Sequence, residues 1–265
     1  MNSEDKISRE AQHKAGITTV NTPGEAPAKR GIIISVILVF CLPVLLYVQT
    51  LKFEFVGFDD NLIIGNHLAF LSDIHNLPSA FQKDAFIDGS SKFYRPIQIA
   101  SYMIDIKLAG KNSFMMYHLT NILYLGLVAC LLFFLLRRFK ILRNLALLST
   151  LIYCAHPLFV SNTAWIMARG DLQLMLFSLL SFILLIDYRQ NRKPIYLAGH
   201  LLAFALALFS KETAAILPLL FIGYSFLFIN NNRFEKRDLY LVVSYFIIGI
   251  LWFWMEFCLC GYRIG

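Results

Sequence analysis

Charge is scarce in this chain of 265 residues: Asp, Glu, Lys and Arg together make up 15% of it, well below the roughly 25% of an ordinary soluble domain. That shortage excludes a highly charged disordered chain. A hydrophobic content of 58% and a mean hydropathy of +0.62 exclude a soluble globular domain as well. Fourteen glycines and eight prolines are too few for a collagenous or low-complexity sequence. The five cysteines, Cys41, Cys130, Cys154, Cys258 and Cys260, all lie in or beside apolar runs, where a thiol behaves as a small hydrophobe. Neither a disulfide framework nor a Cys/His metal spacing is expected. What is abundant is apolar and aromatic, with 24 Phe and 12 Tyr. The reading is an all-α polytopic membrane protein whose first partner is the lipid bilayer.

Residues 1–30 are polar, carry Thr22, Pro23, Gly24 and Pro27, and read as a disordered cytoplasmic tail. The domain expected to follow, 31–265, opens with an apolar run from Gly31 to Leu51. This run is long enough to cross a bilayer, which needs about 20 residues, and has no small-residue cleavage site after it. Further runs lie near 117–136, 142–160, 171–188, 195–209, 214–229 and 239–259, giving an expected count of about seven crossings. Basic residues test that count independently, because cytoplasmic loops carry excess Lys and Arg. The tail and alternate loops (Arg137, Arg138, Lys140, Arg143; Arg189, Arg192, Lys193; Arg233, Lys236, Arg237) hold 15 of the 24 basic residues, and the parity holds at every crossing. The net charge of +7 therefore orients a membrane protein, and nucleic acid is not an expected partner.

The first loop outside the cytoplasm, residues 52–116, mixes Phe and Ile with seven acidic residues. From Ile97 to Leu108 it places Ile97, Ala100, Ile104 and Leu108 on one helical face, with Gln98, Ser101, Asp105 and Lys107 elsewhere. That pattern reads as a helix lying in the membrane interface, on a partly ordered ledge. No internal repeat of 20–50 residues is present.

Five polar constellations map to the non-cytoplasmic side: Phe58-Asp59-Asp60-Asn61, Tyr94-Arg95-Pro96, His156-Pro157, Arg169-Gly170-Asp171 and Ser210-Lys211-Glu212. Ionisable groups near a membrane face a cavity or one another, so one aqueous site could collect them. The adjacent carboxylates Asp59 and Asp60 suit a base that takes a proton from a hydroxyl beside a partner that tunes it, or a pair of ligands for a divalent cation, Mg²⁺ or Mn²⁺. Acidic pairs are common at turns, so taken alone the doublet reads more readily as a solvated loop start. Arg95, Arg169 and Lys211 offer three cations for a phosphate, or three snorkelling side chains. Arg169 with Asp171, and Lys211 with Glu212, can also simply pair with each other. His156 before Pro157 ends a helix, and with no second His or Cys at ligand spacing no zinc site is expected.

Taken in order, FDDN after the first span, YRP before the second, HP closing the third, A-W-I-x-x-R-x-D opening the fourth and SKE opening the sixth resemble the membrane core of the GT-C glycosyltransferases. The pattern is most similar to the protein O-mannosyltransferases that carry transmembrane helices followed by tetratricopeptide repeats, and to their bacterial relatives, over about residues 31–255. The resemblance implies a GT-C-like fold and a polyprenyl- or dolichyl-phosphate sugar as donor. It also implies transfer of a mannose-like hexose to a hydroxyl on a protein or glycan, with inversion, at the periplasmic face of a bacterial inner membrane or the lumenal face of the endoplasmic reticulum. It assigns the base to Asp59 or Asp60, with Asp59 favoured and Asp60 orienting the acceptor or a cation. Arg95, Arg169 and Lys211 fall to the donor phosphate; His156, Asp171 and Glu212 fall to support of those groups or contact with the acceptor. Family members continue through further helices and often repeats, so the chain is expected to be the N-terminal membrane core only. The competing expectations are a non-catalytic member of the same fold and a transporter of a lipid-linked anion.

Overall fold

The computed structural model describes residues 29–57, 59–228 and 236–260, and among these every regular element is a helix. The expected tail, residues 1–30, lies outside the described residues except for its last two, which open α1. In chain order the helices are α1 (Lys29–Tyr47); α2 (Asp59–Ile63), α3 (Leu68–Ser72), α4 (Leu77–Ala80) and α5 (Pro96–Ala109) in the long loop; then α6 (Phe114–Arg138), α7 (Arg143–Ala155), α8 (Phe159–Ala164), α9 (Arg169–Asn191), α10 (Pro194–Ser210), α11 (Leu217–Phe228) and α12 (Lys236–Cys260). Short 3-10 turns extend α1 to Lys52 and precede α9 and α11.

Each apolar run carries a helix, but they differ in length. Four segments are long and apolar enough to cross a bilayer: Lys29–Lys52, Phe114–Arg138, Ile166–Asn191 and Asp238–Leu259. The other three helices in the expected count of seven have 13 (α7), 17 (α10) and 12 (α11) residues, at or below the lower limit of roughly 17 for a span. The chemistry of the boundaries explains the short ones. Alpha-helical geometry stops at Ala155 because His156 precedes a proline and is extended, and α10 gives way to an extended Lys211.

The helices pack with their apolar surface outward. Leu45, Leu142, Leu227 and Phe246 are among many large side chains left exposed, as a lipid-facing surface requires. Close approach is made by small residues: a Cβ on Gly126 of α6 would meet the Phe40 ring of α1 at 3.1 Å. Polar groups join helices inside the bundle. His200 of α10 lies 2.8 Å from Ser181 Oγ on α9 and 2.7 Å from Tyr245 Oη on α12. At one end of the bundle Arg138, closing α6, meets Asp187 on α9 at 2.5 Å, and Arg189 pairs with Asp238 at the start of α12. Among the described residues, the expected basic loops that hold Arg138 and Arg189 thus share an end of the molecule.

Helix α5 forms where the sequence pattern places a helix, with Ile104 and Leu108 exposed, but its polar positions divide: Gln98, Ser101 and Asp105 are buried against the bundle with Ile99, Met103 and Ile106, and Lys107 is exposed, so the buried face is not purely apolar. Gly110, at φ 87°, stops the helix in a conformation that disfavours other residues.

Candidate active site

The acidic doublet opens α2, and its two members occupy different environments. Asp59 is partly exposed, whereas Asp60 is fully buried. Asp60 Oδ2 accepts the Val56 N–H at 3.0 Å, and Oδ1 closes no hydrogen bond. Burial pushes the Asp60 carboxyl above the usual carboxylate range; the backbone N–H groups of Val56 and Met167 and the nearby His118 pull it back only in part. Helix α2 packs on the Ile166–Ala168 turn, so the doublet is tied to the entry of α9.

The same entry gathers four charges. Lys211 and Glu212 are consecutive, and each reaches a different helix. Glu212 takes a two-pronged ion pair from Arg95, with Nε at 3.0 Å and Nη2 at 2.7 Å, and Lys211 pairs with Asp171. Arg95, just before α5, and Asp171, in the first turn of α9, are thereby brought to one step of the chain. The fit is close: a Cβ on Gly170 would meet Gln98 Oε1 at 2.8 Å and the Ser210 carbonyl at 3.4 Å. Gln98 in turn donates to the Met167 carbonyl and to Tyr102 Oη, both at 2.8 Å, which joins the charge cluster to the segment beneath Asp60. All four charged side chains remain partly exposed, between 18% and 42%. Burial tends to raise the Glu212 carboxyl, but hydrogen bonds and charge from Arg95 outweigh it, and the net direction is down.

Arg169 is different in kind. It has no exposed surface and its guanidinium is spent on protein: Nε donates to Asn121 Oδ1 at 2.8 Å, Nη1 to Ser101 Oγ at 3.1 Å and Nη2 to the Tyr117 carbonyl at 2.9 Å. Asp105 Oδ2 lies 2.6 Å away and the Tyr102 ring 4.5 Å below the cation. The neighbour pairs open to the sequence, Arg169 with Asp171 and Lys211 with Glu212, give way to Arg169–Asp105, Lys211–Asp171 and Arg95–Glu212. His156 is exposed at the close of α7; it accepts the Leu158 N–H at 3.2 Å and turns its ring toward Phe159, so its contacts do not run to the charge cluster.

Of the doublet, Asp60 has no exposed surface and one oxygen engaged by the Val56 N–H, and among the described residues no three His, Cys, Asp or Glu side chains converge. The polar residues that sequence motifs did not single out are Gln98, Tyr102, His118 and Asn121, together with Asp105, which was read only as the polar side of α5. His118 and Asn121 stand three apart at the start of an otherwise apolar run, which places them on one helix face. That spacing was the signal available.

A family model of dolichyl-phosphate-mannose-protein mannosyltransferases matches residues 99–254, more than half of the chain, from α5 into α12. The chain belongs to this mannosyltransferase family. Among curated relatives, the protein O-mannosyl-transferases TMTC1 of mouse and of human are each 33% identical over 96 residues, 36% of this chain. The matched stretch spans only 10% and 11% of those two proteins. No solved structure matches the chain. The mannosyltransferase family match encloses Asp105, Arg169, Asp171, Lys211 and Glu212, while Arg95 lies just before it and the doublet well before it in the chain.

Proposed function

We propose that this chain forms the membrane core of a glycosyltransferase that moves a mannose-like hexose from a dolichyl- or polyprenyl-phosphate donor to a hydroxyl of a protein or glycan acceptor, with inversion. The reaction would take place on the side of the membrane away from the basic loops. The observation that carries the reading is the chain of four partly exposed charges, Arg95–Glu212–Lys211–Asp171, at the same helix entry as the acidic doublet. A site for a lipid-linked phosphate needs cations that are held in place yet free to exchange partners. Arg95 and Lys211 meet both conditions, because each is oriented by a carboxylate that a phosphate oxygen can displace.

In this reading Asp59, the more exposed carboxylate, accepts the proton of the acceptor hydroxyl. The hydroxyl oxygen bonds to the anomeric carbon, and the bond from that carbon to the donor phosphate oxygen breaks. The electron pair remains on the lipid phosphate, where Arg95 and Lys211 stabilise the charge that develops as the group leaves. Arg169 serves from the scaffold instead of the phosphate, and Asp171 and Glu212 hold the two cations between turnovers. His156 takes no part in the step.

The test is transfer of radiolabelled mannose from dolichyl phosphate mannose to a Ser/Thr-rich peptide by the full chain in lipid nanodiscs. Asp59→Asn is expected to lower the rate by about 10²-fold or more while expression and membrane insertion stay unchanged. Undiminished transfer by Asp59→Asn would remove Asp59 as the base; absence of transfer by the unaltered chain to peptide and glycan acceptors alike would overturn the reading as a whole.

A further inference from the structure

Arg95 has two holders of different kinds. Glu212 takes one edge of the guanidinium, 3.0 Å from Nε and 2.7 Å from Nη2, and the Phe93 ring lies under its central carbon, with the ring centroid 4.6 Å away. The two do not compete, because the N–H donors radiate in the plane of the guanidinium while the ring attracts the cation through the negative face of its π-system. Phe93 is 45% exposed, yet its backbone is clamped on both sides. Its N–H donates to Ser91 Oγ at 3.1 Å, and its carbonyl accepts the Ala85 N–H at 2.7 Å. Ser91 is held in turn by the buried Asp84, whose carboxylate accepts the Gly89 N–H at 2.9 Å and the Ser91 N–H at 2.7 Å. Between them the chain passes through Ile87 at φ 72°, a costly conformation for a β-branched residue, which is kept because Ile87 packs in the core beside Ile99 and Met103. Tyr94, next in sequence, is buried and donates to the Phe81 carbonyl at 2.7 Å. A rigid segment thus carries a ring at the surface, directly beneath a cation of the charge cluster.

Glu212 by itself is a weak anchor, because both members of its pair are partly exposed and such pairs hold little. In the transferase reading, on which this inference rests, Glu212 must also let go when a phosphate oxygen takes its place. An arginine with no further contact would then regain the rotamers of a long side chain, and donor binding would have to order it again. We propose that Phe93 is a positioning residue for Arg95, its ring keeping the guanidinium in place while the Glu212 carboxylate gives way to the donor phosphate. The ring holds the cation whichever anion occupies the edge, so the exchange of partners needs no movement of the arginine.

The hold of the ring can be read without turnover. In ¹⁵N-arginine-labelled full chain in nanodiscs, the Arg95 side-chain N–H resonance, assigned by its loss in Arg95→Lys, is expected upfield of a free arginine because it sits in the shielding cone of the ring. It should stay there in Glu212→Gln and move to the free position in Phe93→Leu. Collapse of the shift in Glu212→Gln overturns the inference, whatever the turnover shows. Binding of dolichyl phosphate to the same nanodiscs reads the consequence. Phe93→Leu should weaken it about three- to tenfold with the melting temperature nearly unchanged, and Phe93→Tyr, which keeps a ring, should restore it. In the Glu212→Gln background the loss caused by Phe93→Leu should be greater still, since both holders are then gone. Undiminished binding by Phe93→Leu in both backgrounds, or the same loss in Phe93→Tyr as in Phe93→Leu, overturns the positioning role and leaves Phe93 an apolar surface residue. A chain that keeps the shifted Arg95 resonance in Glu212→Gln but neither binds dolichyl phosphate nor transfers mannose would overturn the transferase reading, and with it the ring's part in donor exchange.

Discussion

Asp60 keeps a carboxyl group where no solvent reaches it, and that has a consequence for stability that can be signed in advance. Burial raises its folded-state pKa above the ordinary carboxylate value of about 3.9. Below that value the folded and unfolded chains are both protonated at this position and the group costs nothing. As pH rises through the elevated folded value, the folded state binds more protons than the unfolded state, so stability falls, and the loss is complete above it. Asparagine keeps the acceptor for the Val56 N–H and adds a donor in place of the bare Oδ1. Asp60→Asn is therefore expected to be at least as thermostable as the unaltered chain at pH 7, with the difference closing below about pH 4. Melting temperatures of detergent-solubilised protein across that range check it. A variant that melts lower at pH 7 and equally at pH 4 would contradict the sign. The sequence offered both aspartates as site candidates and did not show which of them is buried, because that depends on the fold of the preceding segment, where the Val56 N–H reaches Asp60.

The entry of α9 is where several elements are tied together, and Arg169 is the tie. Its guanidinium joins α5 through Ser101 and Asp105 and α6 through Asn121 and the Tyr117 carbonyl. Removing one partner of a buried ion pair leaves the other uncompensated, at a cost of about 3–5 kcal/mol. Arg169→Gln should lower the melting temperature sharply. Arg169→Lys should fail to restore it, since an ammonium cannot reproduce three directed N–H donors. Lys211→Gln, at a partly exposed pair, should leave the melting temperature nearly unchanged while weakening donor binding. Equal destabilisation by Arg169→Gln and Lys211→Gln would erase the distinction between scaffold cation and site cation. The positions of the helices were legible because hydrophobic runs and the breaks at His156-Pro157 and Lys211 are local. The pairing of their end charges was not. Arg169 and Asp171 are two residues apart and point to different helices, so sequence proximity suggested a bond that helix geometry forbids.

At the scale of the molecule, the bundle has two chemically distinct ends. One carries Arg138–Asp187 and Arg189–Asp238, and the other carries the doublet, the four-charge chain and the buried arginine. The alternation of basic loops along the sequence foretold that division, since a chain that crosses back and forth must return its cytoplasmic loops to a common side. Three of the expected crossings are short, so the decisive measurement is of sidedness and not of helix length. In a background with the native cysteines replaced, Asp59→Cys and Lys211→Cys should both react with a membrane-impermeant maleimide from one side of sealed vesicles. Asn191→Cys, beside Arg189, should react only after the membrane is opened. The doublet and Lys211 are connected through Met167, Gln98 and Gly170, so labelling of 59 and 211 from opposite sides would be incompatible with a single site, whatever the family of the chain. Labelling of all three from the same side would instead show that α9 does not cross. The 23 residues of α9 could then no longer separate the end that holds the doublet and the four-charge chain from the basic one, and the proposed reaction would have no side of the membrane to itself.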